Sequence, residues 1–466
     1  MAKSSKTWYL FFITGTAALG GFLFGFDTAV ISGTIPFVTV QFDMDAIIEG
    51  WFVSSALVGC IVGVSIAGKA SDTFGRKKVL ILSAFLFFIS AFSCMIAGTS
   101  VFLFIYRIIG GVGVGIASLL SPLYISEISP PRIRGKLVAL YQLAITLGIL
   151  VAYFSNSGLQ SMSDGYESGI DFIQWIIGKE VWRSMFGTEL IPAVLFLILV
   201  SFIPESPRWL IAVNKKESAK EVMIKIGGKK NADRQLKEIE KVLNTEPGSI
   251  KELLKPGLRI ALIIGVVLAI TSQFSGINAI IYYGPKILNQ AGFTISDALG
   301  GQVTIGLVNV VFTCVAMFTI DRFGRRRLLI IGVSGAVLSL IATGIMFHIG
   351  ITTGIVVLLP ILLFISCFAF SFGPVVWVIL SEIYPTKIRG RAISIATLSL
   401  WLANAIVGQL VPWLLESFGP AVTFWLFALL CSPAIIVAIK WLPETKNQSL
   451  EEIELFWKKR KFYLKK

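Results

Sequence analysis

Ser126-Glu127-Ile128-Ser129-Pro130-Pro131-Arg132-Ile133-Arg134-Gly135-Lys136 returns 255 residues later as Ser381-Glu382-Ile383-Tyr384-Pro385-Thr386-Lys387-Ile388-Arg389-Gly390-Arg391. Each copy separates two long apolar runs, so each reads as a basic turn between two buried helices. Two further motifs repeat in the same order. Asp72-Thr73-Phe74-Gly75-Arg76-Lys77 recurs as Asp321-Arg322-Phe323-Gly324-Arg325-Arg326, and Pro204-Glu205-Ser206 as Pro443-Glu444-Thr445. Three motifs in parallel order mean a duplicated chain. In membrane transporters built this way, the site lies near the bilayer midplane at the repeat interface.

Composition supports a membrane protein. Of 466 residues, 55% are hydrophobic and only 15% charged, with mean hydropathy +0.81; soluble domains are about 25% charged. Apolar runs of about 20 residues, long enough to span a bilayer, predict twelve helices: 8–34, 50–68, 79–98, 101–124, 136–157, 185–203, 258–290, 299–319, 327–347, 354–381, 390–413 and 420–441. The expected fold is all-α, twelve transmembrane helices in two six-helix halves with short cytoplasmic helices between them. The boundaries fall at 1–204 (N-terminal half), 205–256 (helical linker), 257–443 (C-terminal half) and 444–466 (tail). No signal peptide is evident before the first run.

Charge sets the orientation. The N-terminus, alternate loops and the tail hold 37 of the 41 Lys and Arg residues, whereas the opposite loops carry Asp43, Asp45, Glu49, Asp164, Glu167 and Asp171. By the positive-inside rule both termini are cytoplasmic, in a multi-pass protein of the plasma (inner) membrane. The net charge of +14 is thus topological. It favours anionic lipid at the cytoplasmic face as a partner and argues against nucleic acid. In the linker, Ala219, Val222, Met223 and Ile226 form one helical stripe, and Ala232, Leu236, Ile239 and Leu243 another. In the tail, Leu450, Ile453 and Trp457 precede Lys458-Lys459-Arg460-Lys461, the pattern of a surface helix lying against anionic lipid.

Several chemistries are excluded. The five cysteines lie in apolar runs without metal-ligand spacing, and His348 is the one histidine, so neither a disulfide framework nor a metal site is expected. Gly63 to Lys69 imitates a P-loop, but Ala70 replaces the Ser or Thr that would bind magnesium, and no strand precedes it. Asn447-Gln448-Ser449 is a sequon on the cytoplasmic side. No nucleophile–base pair points to an enzyme.

Polar residues inside the apolar runs then carry the function. Asp27, within Gly20-Gly21-Phe22-Leu23-Phe24-Gly25-Phe26-Asp27-Thr28, is the only ionisable residue of the first run. A charge there costs roughly 2.5–3.5 kcal/mol on insertion scales, so it is paired or faces a cavity. Arg107 is read as the only other strongly ionic residue within the first half's span, and so as its partner. The second half offers amides: Gln273 and Asn278 flanking Gly276 in a helix expected to break, Gln302, Asn309 and Thr313 on one face, and Ser394, Thr397, Trp401, Asn404 and Gly408 on another. Gln142 and Thr146 match them in the fifth helix. Amides beside aromatic rings suit a neutral polyhydroxylated ligand.

With these residues in place, the chain resembles the sugar porter family of the major facilitator superfamily over its whole length, and within it the bacterial proton-linked xylose carriers. The motifs that carry the likeness are Gly20–Gly33 with Asp27, Arg107 to Gly115, Ser121-Pro122-Leu123-Tyr124, Pro204-Glu205-Ser206-Pro207-Arg208, Gln273 to Asn278, Gly373-Pro374 to Trp377, and Pro443-Glu444-Thr445. The resemblance implies a proton-coupled monosaccharide symporter, for a pentose or hexose, that works by alternating access as a monomer. The proton is its coupling ion, and no cofactor is required. Asp27 would be the protonatable group and Arg107 its partner. Sugar contacts carry over to Gln142, Gln273, Asn278, Asn309, Trp377 and Asn404, with Phe24, Tyr282, Phe368 and Trp401 lining the cavity. The cytoplasmic gate maps to Asp72, Arg76, Glu127, Arg134, Glu205, Asp321, Arg325, Glu382, Arg389 and Glu444. Ser272 stands where relatives have a glutamine, and Leu400 where the xylose carriers have one. The alternatives are a uniporter in which Asp27–Arg107 is structural and, more remotely, a sugar sensor that does not transport.

Overall fold

In a computed structural model, residues 2–130, 133–243, 253–254, 258–351, 355–385, 388–446, 448, 452–453 and 456–457 are described. Among them are 12 helices long and apolar enough to cross a membrane: Trp8–Gln41, Ala46–Phe74, Arg76–Met95, Ser100–Ile128, Arg134–Ser163, Trp182–Phe202, Leu258–Gln290, Ile295–Ile320, Arg325–His348, Val356–Glu382, Arg389–Ser417 and Gly419–Lys440. These are the first to twelfth spans below. Several run past the apolar segments that announce them. The second continues through Lys69 and Asp72 to Phe74, with Lys69 and Ala70 as good helix formers past the apolar run.

The chain divides into two compact units, Met1–Thr34 with Ser55–Glu246, and Ile35–Ser54 with Pro247–Lys466. Close backbone approach shapes the first. A Cβ on Gly25 would strike the Ile145 carbonyl, and one on Gly111 the Ala56 carbonyl, so these glycines let the first span meet the fifth and the fourth meet the second. The start of the third span is tied down by the repeated motif. Arg76 donates through Nε and Nη2 to both oxygens of Glu127 (3.1 and 3.2 Å) and through Nη1 to Asp72 (3.1 Å). Ser206 donates to Glu127 as well. Glu205 accepts from the backbone N–H groups of Arg76, Lys77 and Ser206, a carboxylate at a helix N-terminus. Burial pushes the Glu205 carboxyl above its ordinary range, against the pull of those three N–H donors and of Arg76. The linker helices Lys216–Gly227 and Lys229–Leu243 fold onto this unit through Ala219, Met223 and Ala232, packed with Leu210 and Ile211.

At the start of the sixth span in the same unit, Arg183 lies over the rings of Trp175 (4.1 Å) and Trp182 (4.2 Å). It pairs with Glu180 at 2.7 Å and donates to the carbonyls of Met95 and Ala97. One guanidinium thus anchors the acidic loop before the sixth span to the end of the third.

The second unit repeats this network. Arg325 donates to both oxygens of Glu382 (3.2 and 3.1 Å), Thr445 takes the place of Ser206 (2.6 Å to Glu382), and Glu444 accepts from the backbone of Arg325 and Arg326. In the same unit, Lys286 pairs with Glu49 at 2.6 Å, and Gln409 bridges Ser54 and the Ile47 carbonyl. The tail corrects an expectation. Ile453 and Trp457 are buried, and the Trp457 indole donates to the Ile383 carbonyl at 2.9 Å. Ile453 and Trp457 thus face protein rather than lipid, with the carbonyl of Ile383 after the tenth span taking the indole N–H. Leu450, the basic run from Lys458 and the sequon Asn447 lie outside the described residues.

Candidate functional site

Asp27 and Arg107 meet as expected. Arg107 Nη1 donates to Asp27 Oδ1 at 2.5 Å, and the two side chains are only 5% and 3% exposed, which removes them from bulk water. The guanidinium also lies over the Phe186 ring, 5.8 Å from its centroid. Arg107 is not the only other ionic residue within the first half's spans. Glu189, between the helical pieces Trp182–Thr188 and Leu190–Phe202 of the sixth span, is also buried and interacts electrostatically with both Asp27 and Arg107. Its Oε1 and Arg107 Nε are buried without a hydrogen-bond partner among the described residues. The letter was legible inside the apolar run 185–203; its convergence on Asp27 was not. Two carboxylates and one guanidinium carry one net negative charge, or none once a proton is bound. Buried polar atoms are rarely left unpaired, so Glu189 Oε1 and Arg107 Nε are exceptions within one electrostatically linked group.

The amides of the second unit also converge. Gly276, at φ +83°, breaks the seventh span into Leu258–Phe274 and Ile277–Gln290, a conformation that favours glycine. The break brings Asn278 back onto Gln273 (Nδ2 to Oε1, 2.6 Å) and onto Asn404 of the eleventh span (Nδ2 to Oδ1, 2.9 Å). Asn404 in turn donates to the Tyr282 hydroxyl at 3.1 Å. Gln302 donates to the Ile280 carbonyl in the second part of that span at 3.1 Å. Asn309 is buried, Trp377 is 40% exposed and Trp401 only 2%, so of the two indoles Trp377 is the accessible one. Phe368 lies between Phe364 and Phe372, with centroids 6.3 and 5.8 Å away. The tenth span breaks at Ser371, before Gly373-Pro374.

Gln142 and Phe24 are half-buried in the first unit. Of the expected gate residues, Asp72, Arg76, Glu127 and Glu205 join one network and Arg325, Glu382 and Glu444 the other. Arg389 reaches the Tyr384 carbonyl (3.4 Å), and Arg134 is exposed. The Asp321 side chain lies outside the described residues.

Residues 13–457 match the model of the family described as "Sugar (and other) transporter". The chain is 42% identical over 458 residues to the arabinose-proton symporter of Bacillus subtilis, covering 98% of this chain and 97% of the relative. It is 39% identical over 481 residues to the D-xylose-proton symporter of Escherichia coli, covering 96% of each. Among solved structures, the proton:xylose symporter XylE bound to 6-bromo-6-deoxy-D-glucose superposes with a TM-score of 0.80 at 38% identity, covering 97% of this chain and 100% of that one. The inward open conformation of the Escherichia coli protein gives 0.81 at 38% identity, covering 96% and 100%.

Proposed function

Because this chain belongs to the sugar transporter family of the major facilitator superfamily, we propose that it carries a monosaccharide, a pentose or hexose, inward together with a proton by alternating access. The observation that carries the proton coupling is the buried Asp27–Arg107–Glu189 cluster. A net charge buried in a membrane protein is costly unless neutralised, so the loaded carrier is neutral with one proton bound and the empty carrier returns with one negative charge. Each cycle thereby moves one positive charge inward, which gains about 2.3 kcal/mol per 100 mV.

Asp27 takes the proton, Arg107 holds the carboxylate when it is ionised, and Glu189 is a second acceptor within the same field. The Gln273–Asn278–Asn404–Tyr282 network supplies hydrogen bonds to the hydroxyls, with Gln142 and Asn309 as further amides and Trp377 covering a C–H face. Phe24 in the first unit and Phe368 and Trp401 in the second supply further apolar faces for the sugar. The Arg76–Glu127 and Arg325–Glu382 networks hold the cytoplasmic helix ends and serve the inner gate, with Arg134, Arg389 and Asp321 as its remaining charges. The protein works as a monomer in the inner membrane with both termini cytoplasmic, and anionic lipid faces its basic loops.

Vesicles reconstituted with the purified protein test this directly. An imposed inward proton gradient should drive labelled D-xylose or L-arabinose above equilibrium. Uptake that equilibrates and ignores the gradient would instead identify a uniporter with a structural Asp27–Arg107 pair.

A further inference from the structure

Ser272 precedes Gln273 in the seventh span, and the hydrogen bonds around it give the residue a task in the amide cluster. Its hydroxyl donates to the Ala269 carbonyl at 2.8 Å, so its oxygen is left to accept, and Gln273 Nε2 donates to it at 3.1 Å. The NH2 end of the Gln273 amide therefore faces Ser272, and its Oε1 faces Asn278. Asn278 Nδ2 gives one hydrogen to that oxygen (2.6 Å) and the other to Asn404 Oδ1 (2.9 Å). An amide has two N–H donors and one carbonyl acceptor. Asn278 has thus used both donors, and its Oδ1 has no partner among the described residues. Gln273 has used its acceptor and keeps one N–H. Neighbouring amides are left with opposite polarity, a donor on Gln273 and an acceptor on Asn278, and Ser272 starts the chain that fixes both.

We propose that Ser272 is a positioning residue that sets the hydrogen-bond polarity of the sugar site, so that one sugar hydroxyl must accept from Gln273 and another must donate to Asn278. This rests on the reading of the chain as a sugar carrier. Without the Ser272 oxygen, Gln273 can turn its amide, and the polarity at both positions is no longer imposed.

Fluorinated sugars read that polarity. A C–F group accepts weakly and cannot donate, and a deoxy position does neither. Reconstituted vesicles transporting labelled D-xylose, or in parallel L-arabinose, are challenged with the monodeoxy and monodeoxyfluoro analogues of that sugar. In the wild type, one ring position should tolerate fluorine within about threefold, while another loses about tenfold in competition, the range of one hydrogen bond. Ser272→Ala should raise KM by about threefold to tenfold with kcat unchanged and erase the difference between the two positions. Ser272→Thr should restore it. The same position-dependent pattern in wild type and Ser272→Ala, or no positional contrast in the wild type, would overturn the proposal. The wild-type arm keeps the test decisive even where Ser272→Ala fails to fold. Failure of the wild type to transport either parent sugar would strike at the carrier reading instead.

Discussion

Asp27→Asn keeps the shape of the side chain and removes its charge. In the wild type, Arg107 Nη1 holds Asp27 Oδ1 at 2.5 Å in a site almost closed to water. Removing one partner of a buried pair costs about 3–5 kcal/mol when nothing takes its place. Here Glu189 remains in the same field with an unpaired oxygen, so a loss near the low end, about 3 kcal/mol, is expected and the variant should fold. Its cluster holds Arg107 and Glu189 in permanent balance, equivalent to the proton-loaded state. In vesicles with an inside-negative potential of 100 mV, one charge per sugar is worth about 2.3 kcal/mol, which corresponds to about 45-fold accumulation at about 1.4 kcal/mol per factor of ten. The wild type should approach that ratio. Asp27→Asn should stop at equal concentrations yet still exchange labelled for unlabelled sugar at a rate near wild type. Potential-driven accumulation by Asp27→Asn, or loss of exchange in a folded variant, would refute the reasoning.

Arg76→Ala should lower the melting temperature in detergent more than Arg325→Ala, because the Glu127 side chain left behind is 3% exposed and Glu382 is 25% exposed, and a stranded carboxylate costs more where water cannot reach it. Equal shifts would contradict this. Glu205 binds its proton more tightly in the folded chain than its ordinary value of 4.5 allows. Its contribution to stability is therefore fully present below that value and is lost as pH rises through the raised one; Glu205→Gln should flatten the melting profile across that window. Trp457→Ala removes a fully buried indole and its bond to Ile383, and limited proteolysis should then clip the tail faster while the rest of the chain stays intact.

Much of this architecture is legible in the sequence. The recurrence of Ser126–Lys136 at Ser381–Arg391 announces the two halves, and Glu127 and Glu382 accept from Arg76 and Arg325 through matching atoms. Gly276 foretells the break in the seventh span. What stays hidden is whatever depends on which face meets which neighbour. Ile453 and Trp457 mark an apolar stripe, but periodicity does not say whether lipid or protein covers it. Glu189 stands in plain view as an acidic letter in an apolar run, yet only folding of the sixth span brings it to Asp27. Ser272 reads as a missing amide, and the hydrogen bond from Gln273 shows it as an anchor.

The most direct test of proton-coupled sugar transport is a pH electrode in a lightly buffered, unenergised suspension of cells expressing the protein. Addition of D-xylose or L-arabinose should make the medium transiently alkaline, with no such change in cells expressing Asp27→Asn. Uptake of labelled sugar by the wild type with no movement of the electrode would contradict the claim.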